Sequence, residues 1–314
     1  MGREKTEFAS RWLNGGIGAI GPNFSGGDVF FVDSGATLAG VTASHGKSPD
    51  TPFSTLDAAI ARCTANSGDI IFIMPGHAEN LALDSTVDID VEGITVIGLG
   101  FGAAKPTFTC TVNVGDFKLA AAGTVVRNLR FVNNVATSTG MVEVSAAYCK
   151  ILDCEFIEND VALFANMFIL TTTLANDLEI AGCKIYGNAG DGSVSGISLV
   201  GADRVHIHDC YIYGDYTAGC IDCAGEACLR LRIHDCVLHN EDDTVGSDLV
   251  HCVEGTIAGN TGEVGPNVYC VLGVNDDNIT LAVDANFTIL HPVHVVNLAG
   301  EAGMAINTVL TTDA

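Results

Sequence analysis

The chain has 314 residues, 48% of them hydrophobic, and sets 14 basic side chains against 38 acidic ones for a net charge of −24. That balance excludes a nucleic-acid backbone as partner, because neutralising phosphates takes clustered Lys and Arg. It also excludes docking on an anionic membrane, or grasping a polyanionic glycan, without added cations.

Residues 1–27 are Gly-rich, lack strong periodicity, and carry Arg3, Lys5 and Arg11 beside the only tryptophan, Trp12. They net +1, against −25 for the remainder. A cationic arm with an apolar anchor on an acidic body reads as an attachment segment built on Arg3, Lys5, Arg11 and Trp12. An idle, frayed terminus is the alternative. Residues 28–33 read as a first strand, and 34–53 as a loop with turn signals at Ser34-Gly35 and Ser48-Pro49-Asp50. Ser54-Thr-Leu-Asp57 has the look of a capping box with Asp in place of Glu. It predicts a helix over 55–64 with Leu56, Ala59, Ile60 and Cys63 on one face and Gly68 near its stop. Residues 69–76 read as a buried strand ending in a turn. A short amphipathic helix ahead of the repeats is a plug for the open end of a stack, since terminal repeats of solenoids need caps.

From there the chain repeats a phrase. It is Ile-Leu-Asp-Cys-Glu-Phe at 151–156, Ile-Ala-Gly-Cys-Lys-Ile at 180–185, Ile-His-Asp-Cys-Tyr-Ile at 207–212 and Ile-His-Asp-Cys-Val-Leu at 233–238. Looser copies lie at 97–101 and 127–131, and a fading one at 257–260. Each copy alternates apolar residues, breaks at a turn-prone residue, and alternates again. Period two marks a strand with one buried face. The break, at Gly98, Asn128, Asp153, Gly182, Asp209 or Asp235, suits the left-handed backbone of a tight bend. Repeats of this length without a helix build an all-β solenoid, a parallel β-helix with one coil per repeat. Stacking at about 4.8 Å turns Cys154, Cys183, Cys210 and Cys236 into an interior ladder, with Leu99 and Leu129 as its upper members. Residues 70–265 would give roughly seven or eight coils. The thiols are read as small buried hydrophobes rather than disulfides, the chain showing no secretory signal.

The segment 161–176 is the best candidate for a membrane span, but its 16 uncharged residues fall short of the ~20 required. A strand apolar on both faces must be covered. Either Leu163, Phe164, Met167, Phe168 and Ile169 form a subunit contact, or a loop of the same chain lies over them. The phrase is lost after about 265. Residues 266–314 contain no Lys or Arg and are expected to supply capping or oligomerisation strands.

Chemistry is thinly signalled. Cys220-Ile-Asp-Cys223 with Cys228 and His234 nearby gives one Cys-x-x-Cys pair where a zinc site usually takes two. His208 and His234 share a column after His206. Imidazoles near Asp209 and Asp235 have the right chemistry for a divalent metal, yet outward side chains of a ladder explain them equally. Asp209 and Asp235 could sit at a glycosidase spacing, as could any two stacked acids here. His77 and Glu79 are read as structural groups of the first coil. No catalytic residue, cofactor or metal is expected.

One stretch carries a family likeness. Lys47-Ser-Pro-Asp-Thr-Pro-Phe-Ser-Thr-Leu-Asp-Ala-Ala-Ile60, followed by Gly68-Asp-Ile-Ile-Phe-Ile-Met-Pro-Gly-His-Ala-Glu79, resembles the opening module of the right-handed parallel β-helix, or pectate-lyase-like, superfamily over roughly 28–265. The Pro-Gly-His-Ala-Glu variant on an acidic chain looks most like tailed-phage structural proteins. The resemblance implies an arm over 1–27, a right-handed β-helix over 28–265 with its plug at 55–64, and C-terminal strands over 266–314. It further implies a homotrimer made in the host cytoplasm and carried on a virion surface, as a capsid decoration, spike or fibre. Its partners would be other virion proteins and a host surface glycan. Since this scaffold also hosts lyases and hydrolases, a polysaccharide-degrading or glycan-binding solenoid is the alternative.

Overall fold

The structure, a computed structural model, describes residues 27–84, 86–114, 116–159, 163, 165–188, 193–223, 225–241, 252–255, 257–272, 283, 286–291 and 293–297. The arm residues Arg3, Lys5, Arg11 and Trp12, and Phe164, lie outside them.

The chain winds through three parallel sheets in turn, and consecutive visits to a sheet stack strand on strand. The first sheet has ten strands, from Val29–Val32 and Ile70–Ile73 down to Gly262–Val264 and Thr288–Ile289. The second has nine, from Ala78–Leu81 to Val293–Asn297, and the third seven, from Val87–Ile89 to Val253–Glu254. This is a parallel β-helix. Alternation places one residue in two inside. On the first sheet the inward file runs Phe30, Ile71, Val96, Val126, Ile151, Ile180, Ile207, Ile233, Val264, all buried. On the second sheet Phe108, Phe131 and Phe156 stack, with ring centroids 5.9 and 5.0 Å apart, above Ile185, Ile212 and Leu238. Each buried side chain of this size is worth about 1.5–3 kcal/mol. Repetition of that contribution coil after coil is what holds a fold with so little helix.

The bends carry the left-handed backbone the repeat demanded. Asn128, Asp153, Gly182, Asp209 and Asp235 have φ between 52° and 64°. A second corner, unmarked in the sequence, is left-handed at Tyr148, Asp177, Arg204 and Arg230, with φ of 56–61°. Ion pairs link one coil to the next: Arg127–Asp153 at 2.8 Å at the end of the first sheet, Arg130–Glu155 at 2.8 Å on the second and Lys118–Glu143 at 2.9 Å on the third.

Several expectations are corrected. The helix is shorter than 55–64, covering Leu56–Ile60. Its N-cap is Thr55, which accepts from Ala58 N at 3.3 Å, rather than a Ser54–Asp57 box. Leu56, Ala59 and Ile60 are buried against the first coil. The bend expected at Gly98 falls at Gly100 (φ 103°), and the chain then makes a 3-10 turn at Gly102–Ala104 before entering the second sheet at Thr107–Cys110. Phe101 is thrown outward, 85% exposed, and Leu99 is only half-buried. Leu99 therefore does not head the thiol ladder; buried Pro106 does, its carbonyl accepting from Arg130 N at 2.8 Å. Phe168 and Ile169 lie in the core of their own chain, Phe168 edge-on to Tyr216 at 6.3 Å, so neither is available to a subunit contact. Leu163 and Met167 are half-buried. The column also continues past 265, since Val268–Leu272 and Val293–Asn297 extend the second sheet in register.

Candidate functional site

Four constellations have chemistry in them, and the winding decides what each can do. The thiol file is the most internal. Leu129, Cys154, Cys183, Cys210 and Cys236 follow Pro106 on successive coils, each carbonyl accepting from the first strand residue of the next coil at 2.8–2.9 Å. All twelve cysteines are free thiols. The Cys183 sulfur touches those of Cys154 and Cys210, and burial among them pushes its thiol well above the ordinary range. The four repeat thiols donate back to carbonyls, as Cys210 does to His208 O at 3.2 Å. These are packing groups, buried and hidden from reagents.

The Pro-Gly-His-Ala-Glu motif is a clasp. His77, 1% exposed, accepts from Ser34 N on Nδ1 at 3.0 Å, so its Nε2 carries the proton toward Glu79 Oε2 at 3.2 Å. Glu79 Oε2 also accepts from Leu56 N at 3.0 Å. One histidine and one carboxylate thus tie the first loop, the helix start and the first coil together, leaving neither available as a base.

A carboxylate pair sits on the outward face of the third sheet. Asp222, 4% exposed, stands in register with Glu254 of the next coil. Burial first, and the Glu254 charge second, push its carboxyl up to about 7. A carboxyl held protonated near neutrality has the character of a general acid. This group is not legible in sequence, where Asp222 reads as the filler between Cys220 and Cys223. Asp209 and Asp235, weighed from sequence, instead hydrogen-bond the histidines preceding them, at 2.7 and 2.6 Å. Among the described residues, no three His, Cys, Asp or Glu side chains make a ready-formed metal cage. Cys223 and Cys228 are buried beside each other.

The outward face of the second sheet is aromatic in its lower half. One column runs Lys184, Tyr211, Val237, Tyr269, His294; the next runs Tyr186, Tyr213, His239, Val271. Neighbouring rings touch: Tyr186–Tyr211 at 5.7 Å, Tyr213–His239 at 4.9 Å edge-on, and Tyr269–His294 stacked at 4.7 Å. Tyr269 is 47% exposed and the other three tyrosines are half-exposed. His239 Nε2 lies 2.8 Å from Glu241 Oε1, out of line for a hydrogen bond. Five coils at about 4.8 Å carry this strip, giving it a length of roughly 20 Å.

No protein-family profile matches the sequence, and no curated protein is similar to it. Two solved structures are similar to the chain at low identity. A rhamnogalacturonan lyase is 11% identical over 84% of this chain and 87% of its own, with a TM-score of 0.48. An alginate lyase from Paenibacillus sp. str. FPU-7 is 12% identical over 84% and 97%, with a TM-score of 0.28. At this distance neither likeness bears on what the chain does; the fold rests on the strand register itself.

Proposed function

We propose that this chain is a glycan-binding β-helix, and that the aromatic strip of the second sheet is its binding face. The carrying observation is four tyrosines with two histidines, held on adjacent strands of one flat, rigid ladder. Aromatic faces offer large apolar contact with polar edges, which suits the apolar faces and flanking hydroxyls of a sugar ring. Ordering costs little here, because the ladder already fixes the backbone. The net charge of −24 directs the choice of ligand toward neutral polysaccharide and away from uronate chains. Asp222 belongs to a different sheet, so the reading is one of binding rather than cleavage.

Affinity electrophoresis of the full chain through gels containing neutral glucan, mannan or galactan tests it. Retardation by at least one of these, lost in Tyr211→Ala/Tyr269→Ala, is the expected result. Retardation by none, or retardation unchanged in the variant, overturns it.

A second reading is mechanical: a stiff acidic projection of a virion, borne as a homotrimer and attached through residues 1–27. The uninterrupted ten-strand ladder favours it, since continuous parallel hydrogen bonding resists bending. Finding the chain in stoichiometric amounts in purified particles supports that reading; its absence from them sinks it.

A further inference from the structure

On the first sheet, His206 and His208 project outward from one strand, and His234 from the strand below, in register with His208. The three rings pack together: His206 to His208 at 4.4 Å, His206 to His234 at 4.8 Å, and His208 over His234 at 5.2 Å with planes 11° apart. His206 Nε2 and His234 Nε2 are 2.7 Å apart. Carboxylates stand behind the ring. His234 Nδ1 meets Asp235 Oδ2 at 2.6 Å, and His208 Nδ1 meets Asp209 Oδ2 at 2.7 Å. Glu179 Oε1, from the strand above, is 3.4 Å from His208 Nε2.

We propose that His206 Nε2 and His234 Nε2 chelate a divalent transition metal ion of the zinc, nickel or copper type. Three features of the geometry lead there. A carboxylate on Nδ1 fixes that nitrogen as the protonated one and turns the Nε2 lone pair of His234 outward, as the outer partners of metal-bound histidines do. Two imidazole nitrogens at about 2.0–2.1 Å from one ion lie about 2.9–3.4 Å apart for square or tetrahedral angles. The observed 2.7 Å thus needs an opening of only a few tenths of an ångström. The ladder supplies the rest, since both strands are fixed at their ends by neighbours above and below. Glu179, Asp209 and Asp235 lend negative charge to a cation in this place; Arg232, the register partner of His206, opposes it. Imidazole donors select borderline metals over calcium or magnesium.

The competing account is a plain hydrogen bond between two neutral imidazoles, and it predicts no metal affinity. Tag-free full-length protein titrated with zinc chloride and with nickel chloride in a calorimeter separates the two. One equivalent of at least one metal is expected to bind the wild type, with affinity falling tenfold or more in His206→Gln and in His234→Gln. Asp235→Asn is expected to weaken it by a smaller factor. Circular dichroism of each variant checks that the fold persists, as it should for half-buried outward residues. No binding by the wild type, or equal binding by wild type and both glutamine variants, overturns the proposal. Neither result bears on the tyrosine face, which lies on another sheet.

Discussion

Asp222 illustrates how burial reassigns a residue that sequence alone describes poorly, and His77 how it fixes one that sequence already reads as structural. His77 sits in a motif with the spacing of a base and its carboxylate, yet both nitrogens are consumed by Ser34 N and Glu79. Asp222 sits inside the Cys220–Cys223 pair, a motif that points to sulfur chemistry, yet it is the carboxyl pushed up to about 7, by burial and then by Glu254. Its effect on stability has a definite sign. Below the unfolded value near 3.8 both states hold the proton and nothing is lost. Between there and about 7 the unfolded chain releases it while the folded chain keeps it, so stability falls as pH rises and then levels off. The roughly three-unit shift bounds the loss at about 4 kcal/mol. Asp222→Asn is therefore expected to melt at the same temperature as wild type at pH 4 and several degrees higher at pH 8. An equal difference at both pH values would remove the shifted carboxyl from the account.

At the scale of strands and turns, side-chain period and bend chemistry were legible wherever the phrase was strict. Asp153, Gly182, Asp209 and Asp235 take left-handed backbone as their identities required. The second corner was not legible, because Tyr148, Arg204 and Arg230 occupy it, and nothing about Tyr or Arg announces positive φ. Leu99 misled for a physical reason. Identity of local pattern at 97–101 hid the Gly102–Ala104 turn, which displaces the next strand to Thr107–Cys110 and substitutes Pro106 in the ladder. The aromatic strip and the imidazole group were missed or undervalued because each is assembled across coils, 25–30 residues apart in sequence. The stacked phenylalanines give the element scale its test. Phe131→Ala, between Phe108 and Phe156 in a dry interior, should cost about 3–5 kcal/mol in urea unfolding. Phe101→Ala, at a residue the register error would have placed in that same file, should stay within about 0.5 kcal/mol. Similar costs for the two would contradict the assignment of the second sheet.

Over the whole molecule, one regularity generates everything else. A constant winding converts a loosely repeated sequence into files: apolar files inside, a thiol file at the corner, rings on one outer face and imidazoles on another. A rigid column with distinct chemistry on each face can carry several binding functions without moving parts. The net charge of −24 is spread over a column whose neighbouring coils are knit by ion pairs such as Lys150–Glu179 at 2.6 Å. Every site described here depends on the register between coils, and register can be read by disulfide trapping. Lys150 and Glu179 are direct partners on adjacent strands of the first sheet, whereas Lys150 and Ala181 are two residues out of step. Strand geometry puts the first pair of Cα atoms about 5 Å apart and the second about 8 Å, inside and outside the reach of a disulfide. Under mild oxidation, Lys150→Cys/Glu179→Cys should close a bond within the chain, and Lys150→Cys/Ala181→Cys should not. Closure of the second pair in preference to the first would contradict the winding, and with it both proposed binding faces.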